Sequence, residues 1–237
     1  MIKALLLSNS TIPGTPFFTW PRPYVKEFLG QLPKSIVFIP YAAVTFSFDE
    51  YEAKVKEVFA TMGYNVKGIH HQSDPIETIR SAGAILVGGG NSFALLKRLY
   101  DSNLLDVMRD KVNTGTPYIG WSAGANLACP TIMTTNDMPV VQPPSLNALN
   151  LVPFQINPHY HELKFEGQGG ETRKERLEEF IVMNPDKKVI GLPEGMFARR
   201  DGDRITIGGT GTAKFYRAGK EIVDLLPGNS IEGSDPL

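Results

Sequence analysis

The most informative stretch of the sequence is Gly120-Trp121-Ser122-Ala123-Gly124, in which a serine stands between two glycines. It follows the apolar residues 117–119 and precedes small residues that are compatible with a helix. A serine at such a strand-to-helix junction is held on a tight turn, which exposes its hydroxyl group and aims backbone N–H groups at an anion. The pattern suits a nucleophile in acyl transfer. A glycine-rich turn with a capping serine is the alternative.

A nucleophilic serine needs a base, and the chain has four histidines. His159 follows Gln155-Ile156-Asn157-Pro158, which is typical of a strand end, and we expect it to act as the general base. His161 would share a strand face with His159, so a metal pair is the alternative, but no carboxylate or cysteine cluster is spaced to complete it. His70 and His71 close an early strand, where adjacent side chains point to opposite faces, so at most one could face the site. We interpret both as ordinary surface or core-edge residues, and we expect no metal and no cofactor.

The third member of the site must be a carboxylate that orients the imidazole ring, and the sequence offers two candidates. Glu194 follows the apolar run 189–192, where a buried carboxylate is costly unless it is paired. Asp137 lies in a proline-rich stretch, where a solvated turn residue is the alternative interpretation. From the residues alone, both candidates stay open.

An oxyanion needs preorganised hydrogen-bond donors. The N–H of Ala123, directly after the serine, is one of them. We expect a second from Gly88-Gly89-Gly90, centred on Gly89, because missing side chains let the backbone approach a substrate closely. A phosphate-binding role is less favoured, since the sequence has neither G-x-G-x-x-G nor a lysine-bearing phosphate loop, and a plain turn is the remaining alternative. Asn91 stands where the N-cap of the following helix would be.

Length and composition indicate one globular domain over residues 1–237, and they narrow the class of partner. With 24 basic and 25 acidic residues the net charge is −1, which favours a small-molecule or peptide partner over nucleic acid or a membrane. Cys129 is the only cysteine, so a disulfide framework is excluded. The apolar run 4–7 is too short for a signal or membrane segment, and we expect a cytoplasmic enzyme.

Short aliphatic runs alternate with longer amphipathic ones, which predicts strands at 2–7, 35–39, 66–69, 84–87 and 118–119 and helices at 24–32, 48–62, 76–82 and 92–112. This alternation predicts an α/β fold: a doubly wound, mostly parallel sheet with helices on both faces and ligands at the carboxyl ends of its strands. Residues 131–153 contain four prolines and show little periodicity, which predicts a long loop over the site. After Glu194, runs at 196–200, 204–207 and 213–217 predict a small antiparallel meander with a turn at Asp201-Gly202.

These residues lie in longer blocks through which the chain resembles the peptidase E family of α-aspartyl dipeptidases. In chain order the blocks are LLLSNST (5–11), VGGGN (87–91), IGWSAGANLACP (119–130), TTNDMP (134–139), QINPH (155–159), GETR (170–173) and VIGLPEG (189–195). The resemblance implies a fold akin to the class I glutamine amidotransferase-like doubly wound sheet. It also implies cleavage of dipeptides that begin with aspartate, without a metal.

The resemblance also implies roles for individual residues. The family's serine and histidine correspond to Ser122 and His159, and its acid corresponds to Glu194 or Asp137. We favour Glu194 for orienting His159, because a carboxylate at a strand end is better placed and less mobile. Asp137 would then shape the site or bind the substrate's ammonium group.

The resemblance further implies two residues that bind substrate. Arg173 would receive the aspartyl side chain, because arginine offers a carboxylate two parallel charged hydrogen bonds. A solvated arginine paired with Glu171 or Glu175 is the alternative. Asn91, at the end of the glycine run, is the second expected substrate contact.

The expected function is therefore that of a serine dipeptidase that hydrolyses Asp-Xaa dipeptides through an acyl-enzyme on Ser122. The alternatives are a related serine hydrolase, such as a cyanophycinase-like enzyme, and a non-catalytic protein that binds aspartyl peptides. We expect a monomer or homodimer with a small peptide substrate.

Overall fold

The computed structural model describes residues 1–31, 35–164 and 169–232, and its centre is a sheet of eight strands. Five neighbouring strands run parallel in the spatial order β3-β2-β4-β5-β1. They are β1 (Lys3–Leu7), β2 (Ile36–Ile39), β3 (Val66–Gly68), β4 (Ala84–Val87) and β5 (Tyr118–Trp121). The helices along this part of the chain are α1 (Arg22–Leu29), α2 (Phe48–Thr61), α3 (Pro75–Arg80), α4 (Ser92–Asp101), α5 (Leu104–Asn113) and α6 (Ala123–Leu127).

Both faces of the parallel strands are buried, which is why the strands read as continuous aliphatic runs. Alternate residues point to opposite faces: Leu6 and Val37 pack in one apolar cluster, and Leu5 and Phe38 pack in another. Side chains of α3, α4 and α5 complete the first cluster, whereas those of α1 and α2 complete the second. The predicted doubly wound, mostly parallel sheet is confirmed.

The antiparallel strands after Glu194 belong to two sheets and do not form one meander. The strands β8 (Met196–Asp201), β9 (Arg204–Gly209) and β12 (Ser230–Glu232) extend the main sheet beyond β1. A second sheet has the order β11-β10-β7-β6, and its strands are β6 (Gln155–Pro158), β7 (Lys188–Leu192), β10 (Ala213–Arg217) and β11 (Val223–Leu225). Since Asp201 pairs with Arg204, the β8–β9 turn is Gly202-Asp203, one residue later than predicted. The helix α7 (Arg173–Met183) packs against β7 and β10.

Two predicted helices differ from those in the structure. The single helix expected over 92–112 is two helices, because Asn103 takes the left-handed conformation at φ 56° between α4 and α5. Asparagine tolerates this conformation better than most residues do. The helix expected over 24–32 ends at Leu29, since Gly30 has φ 59°; Leu32, its predicted end, lies outside the described residues.

The long loop predicted at 131–153 has no helix or strand of its own, and one isolated bridge joins Thr131 to Asn147. The loop packs against the start of α4, where the Asn91 amide donates to the Met138 carbonyl over 2.8 Å. Among the described residues, no helix combines the length and the apolar character needed to cross a membrane.

Candidate active site

Ser122 occupies a sharp turn between β5 and α6, with φ 53° and ψ −111°. A Cβ atom added at Gly120 would overlap the Gly124 carbonyl, and one added at Gly124 would overlap the Val87 carbonyl of β4. The serine N–H donates to the Leu7 carbonyl of β1 over 3.1 Å. The two flanking glycines are therefore needed because the turn packs directly against its neighbouring strand. A positive φ at a non-glycine residue costs on the order of 1 kcal/mol, and this packing holds the residue there.

The Ser122, His159 and Glu194 side chains form a hydrogen-bonded series. His159 Nε2 lies 2.9 Å from Ser122 Oγ, and Nδ1 lies 2.8 Å from Glu194 Oε1. With the ring proton on Nδ1, His159 donates to the carboxylate and accepts from the serine hydroxyl. The His159 and Glu194 side chains are 37% and 41% exposed, so this series, the Ser122 relay, is open to a ligand.

One buried hydroxyl positions His159. The backbone N–H of His159 donates to Ser8 Oγ over 2.8 Å, and the Ser8 hydroxyl donates to the Leu192 carbonyl over 2.8 Å. Ser8 follows β1, Leu192 ends β7 and His159 follows β6, so this hydroxyl joins the ends of three strands. His159 itself has φ 54°.

Asn9 holds the segment that carries Glu194. Its Oδ1 accepts from the Gly195 N–H over 3.0 Å, and its Nδ2 donates to the Thr11 carbonyl over 2.9 Å. Asn9 and Ser8 are both buried. Sequence reasoning assigned neither a role, although both fall in the block 5–11; a pair of polar residues directly after an apolar strand was the available signal.

The glycine run after β4 lies against the Ser122 turn. A Cβ atom at Gly89 would lie 3.1 Å from Ser122 Cβ, and Gly90, with φ 138°, has no room for one beside the Ala42 carbonyl. The Gly88 N–H donates to the Ile39 carbonyl. The Gly89 N–H is directed at the Tyr51 hydroxyl, so the Gly90 N–H is the one donor of this run without an acceptor among the described residues.

Tyr51 of α2 lies behind the glycine run. Its hydroxyl accepts from Trp121 Nε1 over 2.9 Å. Burial raises the pKa of Tyr51, whereas hydrogen bonds from Trp121 and from the Gly89 backbone lower it, and burial prevails. The phenol thus stays protonated at neutral pH, and it fixes the indole directly before Ser122.

Ser122 and His159 open onto a cavity of about 600 Å³, a size typical of sites for small ligands. Gly89, Gly90 and Trp121 form part of its wall. Its outer wall carries the more exposed side chains of Phe17, Phe46, Glu50 and Lys54, whereas the buried Tyr51 ring lines its inner part. Sequence reasoning did not single out Lys54, because one lysine on an amphipathic helix carries no distinguishing signal.

The position of Asp137 does not support it as the acid that orients His159. Its Oδ2 accepts from the Ser92 N–H and from the Ser92 hydroxyl, each over 2.7 Å, and from the Thr135 hydroxyl over 3.0 Å. The carboxylate is therefore occupied at the start of α4, where the helix dipole favours a negative charge. Its role is to anchor the loop 131–153 to that helix.

Asn91 is the predicted N-cap of α4, and this prediction is confirmed. Its Oδ1 accepts from the Ala94 N–H over 3.0 Å, and its Nδ2 donates to Met138. Both ends of the amide are thus engaged within the protein, and Asn91 lies outside the lining of the Ser122 cavity. The structure therefore gives Asn91 a structural position and does not bring it into the cavity as a substrate contact.

Arg173 begins α7 and lies in a separate depression beside Asp137 and Asn157. Its Nε is buried and has no hydrogen-bond partner among the described residues. Burial and the charge of Arg173 lower the pKa of His161, whereas Glu194 raises it, so Arg173 and Glu194 both act on this imidazole. Arg173 lies outside the lining of the Ser122 cavity, so the structure does not place it beside the serine hydroxyl.

The alternative pairing of Arg173 with neighbouring glutamates does not occur. Glu175 accepts from the Thr172 N–H over 2.6 Å in a capping box, and Glu171 lies 3.7 Å from Arg176. Both acids are thus engaged elsewhere, which leaves the Arg173 guanidinium available to a ligand.

His159 and His161 are not brought together as a metal pair, since both ring nitrogens of His159 bond within the relay. The interpretation of His70 and His71 was wrong in one respect. They lie in a 3₁₀ turn, not on a strand, and both rings face the carboxylates of Asp49 and Glu52.

Known peptidases are similar to this chain in sequence and in fold. The model of peptidase family S51 matches residues 4–208. A protein named peptidase E from Nostoc sp. is 47% identical over 230 residues, which cover 97% of this chain and 95% of the relative. Peptidase E from Salmonella typhimurium is 48% identical over 228 residues, which cover 96% of this chain and 99% of the relative. The crystal structure of a peptidase from an acI-B1 Actinobacterium has the same fold, with a TM-score of 0.72 at 17% identity, covering 98% of this chain and 97% of that one.

We predict that Ser8→Ala loosens the relay. The substitution leaves the His159 N–H and the Leu192 carbonyl without their shared partner, so the free energy of unfolding should fall by about 1–3 kcal/mol. Labelling of Ser122 by a fluorophosphonate should slow, because the imidazole is no longer fixed. Urea denaturation and labelling kinetics measure the two effects.

Ser81→Ala is the matched control, since the Ser81 hydroxyl is exposed at the end of α3 and bonds only within that helix. It should change the free energy of unfolding by no more than about 0.5 kcal/mol, and it should leave the labelling rate close to that of the wild type. A Ser8→Ala variant that labels as fast as the wild type would contradict the positioning role.

Proposed function

The chain belongs to peptidase family S51, and we propose on this basis that it is a serine dipeptidase that hydrolyses Asp-Xaa dipeptides through an acyl-enzyme on Ser122. The observation that carries the proposal is the relay of 2.9 Å and 2.8 Å hydrogen bonds beside a cavity of dipeptide size. Nucleophile, base and orienting acid are the three groups that acyl transfer needs, in the order that it needs them.

The proposed reaction begins when His159 Nε2 takes the hydroxyl proton of Ser122, and Oγ attacks the carbonyl carbon of the aspartyl residue. The imidazolium that forms is stabilised by Glu194, which stays ionised. His159 then gives the proton to the leaving amine as the C–N bond breaks. In the second half, His159 takes a proton from water, the hydroxide attacks the ester, and aspartate leaves as Oγ regains its proton.

The negative charge of the tetrahedral intermediate needs donors that are in place beforehand. The N–H of Ala123 is one, since the first residue of α6 has no acceptor within that helix. The Gly89–Gly90 turn, packed against Ser122, supplies the other in our proposal. Loss of one such donor typically costs about 3–4 kcal/mol of transition-state stabilisation.

Ser122→Ala should retain the fold and lose hydrolysis of Asp-Leu by on the order of a million-fold, because the acyl-enzyme can no longer form. Release of free leucine measures the rate, and urea denaturation checks the fold. Ser102→Ala, at the end of α4, is the control and should keep the wild-type rate. Hydrolysis by Ser122→Ala within tenfold of the wild-type rate would refute the nucleophile assignment.

Replacing the two acids one at a time tests which of them acts on His159. Glu194→Gln should lower kcat/KM by about 10³–10⁴-fold, because the ring loses the carboxylate that orients it and stabilises its cation. Asp137→Asn should act mainly on stability, since its charge lies at the start of α4. Steady-state kinetics and urea denaturation of both variants separate the roles, and the reverse pattern would make Asp137 the acid.

Substrate recognition needs cations, since an Asp-Xaa dipeptide carries a side-chain carboxylate and a terminal carboxylate. We assign Arg173 to the side chain, because its guanidinium is half-buried and its Nε has no partner among the described residues. We assign Lys54 to the terminal carboxylate. It lines the Ser122 cavity, and its Nζ stands 5.6 Å from the ring centre of Phe17 at the outer wall.

A crossed set of substrates tests both assignments. Arg173→Ala should reduce the preference for Asp-Leu over Asn-Leu by on the order of 100-fold, because two charged hydrogen bonds are lost. It should leave the preference for Asp-Leu over Asp-Leu amide unchanged. Lys54→Ala should reduce the preference for Asp-Leu over Asp-Leu amide by roughly tenfold, since a single exposed ammonium is partly screened by solvent. It should leave the preference for Asp-Leu over Asn-Leu unchanged.

Lys174→Ala is the matched control, because Lys174 lies on the same helix but is exposed and stands 3.5 Å from Glu178. It should retain both preferences. If Lys54→Ala, rather than Arg173→Ala, abolishes discrimination between aspartate and asparagine, the two assignments are exchanged.

Addition of a branched aspartyl-arginine dipeptide to this substrate set separates the remaining alternatives. A cyanophycinase-like enzyme would prefer a branched aspartyl-arginine dipeptide, and a binding protein would bind Asp-Leu without turnover or labelling of Ser122. The cytoplasmic location and the monomeric or dimeric state stay predictions, which cell fractionation and sedimentation would test.

A further inference from the structure

A second group of reactive side chains lies away from the relay, where β3 ends. Ile69–His71 forms a 3₁₀ turn directly after that strand, and it brings the rings of His70 and His71 to a centroid separation of 4.1 Å. The Nε2 atom of each ring lies 2.9 Å from Asp49 Oδ1, in the first turn of α2. Two imidazoles that are adjacent in sequence thus converge on one carboxylate oxygen.

Glu52 supplies the fourth group, one helical turn after Asp49. Its Oε2 lies 3.5 Å from His70 Nε2 and 3.3 Å from His71 Nε2. The donor atoms of all four side chains lie within 4.8 Å of one another. In a tetrahedral zinc site with bonds of about 2.0–2.1 Å, neighbouring ligand atoms are about 3.3 Å apart. The histidine-to-carboxylate separations of 2.9–3.5 Å bracket this value.

The surrounding residues orient Glu52 toward the histidines. Its Oε1 accepts from the Gly68 N–H over 2.5 Å and from Lys56 Nζ over 2.7 Å, which leaves Oε2 facing the rings. Outer hydrogen bonds of this kind fix the ligands of metal sites. A Cβ atom at Gly68 would lie 2.5 Å from His70 Cε1 and 2.7 Å from Glu52 Cδ, so this close approach requires glycine.

The two carboxylates of the cluster differ in their exposure to solvent. The Glu52 side chain is only 5% exposed, whereas that of Asp49 is 72% exposed, which leaves a path for entry from solvent.

We propose that Asp49, Glu52, His70 and His71 form a binding site for a divalent transition-metal ion, with zinc as the ion that fits best. Two imidazole nitrogens and two carboxylate oxygens at these separations suit zinc and cobalt, whereas calcium and magnesium prefer ligand sets made of oxygen alone. The site lies apart from Ser122, and the proposal does not rest on the peptidase assignment.

A bound ion would link the start of α2 to the turn after β3. The same helix carries Tyr51 and Lys54 in the wall of the Ser122 cavity. The ion therefore stabilises the outer wall of the cavity without contacting the substrate. Its effect is on stability, and it takes no part in the reaction.

Calorimetric titration of the full chain with zinc chloride, after treatment with a chelator, tests the proposal. We expect one ion per chain, and we expect His71→Ala and Asp49→Asn each to weaken binding by about 100-fold or more. Both side chains are more than half exposed, so neither substitution threatens folding. Zinc should also raise the Tm of the wild type in a concentration-dependent way, and of neither variant.

Two further variants serve as controls. Glu57→Gln removes an exposed carboxylate of α2 outside the cluster and should bind as the wild type does. His159→Ala should also retain binding, because its ring belongs to the relay. With cobalt in place of zinc, the visible absorption of a tetrahedral complex should be seen in the wild type and be absent in His71→Ala.

Three outcomes would overturn the proposal. Absence of saturable zinc binding would make the cluster a set of metal-free ion pairs. Binding that His159→Ala abolishes and His71→Ala leaves intact would move the ion to the Ser122 site. Equal affinity for magnesium and zinc would contradict coordination by imidazole.

Discussion

The relay depends on one buried hydrogen-bonding hydroxyl, that of Ser8. His159 and Glu194 follow strands of the second sheet, whereas Ser122 follows a strand of the main sheet, so the two sheets must be held in fixed register where they meet. Ser8 does this by accepting from the His159 N–H and donating to the Leu192 carbonyl, each over 2.8 Å. Because Ser8 is buried, loss of its hydroxyl would leave the His159 N–H and the Leu192 carbonyl without a protein partner. The hydrogen bonds that hold the two sheets together thus also orient the His159 imidazole.

Close backbone packing determines the other half of the relay. Gly124 stands against the Val87 carbonyl of β4, and Gly120 stands against the Gly124 carbonyl within the turn, so neither has space for a side chain. Gly90 is confined in the same way by the Ala42 carbonyl. These contacts keep Ser122 at a positive φ, and they bring the glycine run within van der Waals distance of the serine. The strained conformation of Ser122 therefore originates in the close packing of the β5–α6 junction against β4.

Much of this organisation could be predicted from the sequence. The parallel sheet followed from the alternation of aliphatic and amphipathic runs, and the resemblance to the peptidase E family is confirmed by relatives at 47–48% identity. The three side chains expected to form the relay are neighbours in the structure, although their roles remain proposals. Glu194 could be favoured over Asp137 because it follows an apolar strand, but nothing in the sequence indicated that Asp137 is held by Ser92 at the start of α4. The end of α4 before Asn103 was not predicted, since the apolar periodicity continues into α5. The division of the strands after Glu194 between two sheets could not be predicted either, because it leaves no local signal in the sequence.

His70 and His71 illustrate why pattern alone fails at a strand end. Alternation holds only while the backbone is extended, and one 3₁₀ turn was enough to bring both rings to the same side. Their partners lie on α2, where successive residues turn by about 100°. Asp49 and Glu52 therefore share one side of the helix, Glu50 and Lys54 face the cavity, and Val55 and Val58 are buried against the sheet. A capping box between Ser47 and Glu50 fixes the first turn of the helix, in which Asp49 lies. One helix thus serves the cavity, the core and the proposed metal site, and a slip of one residue in its packing against the sheet would turn all three sets of side chains away from their partners.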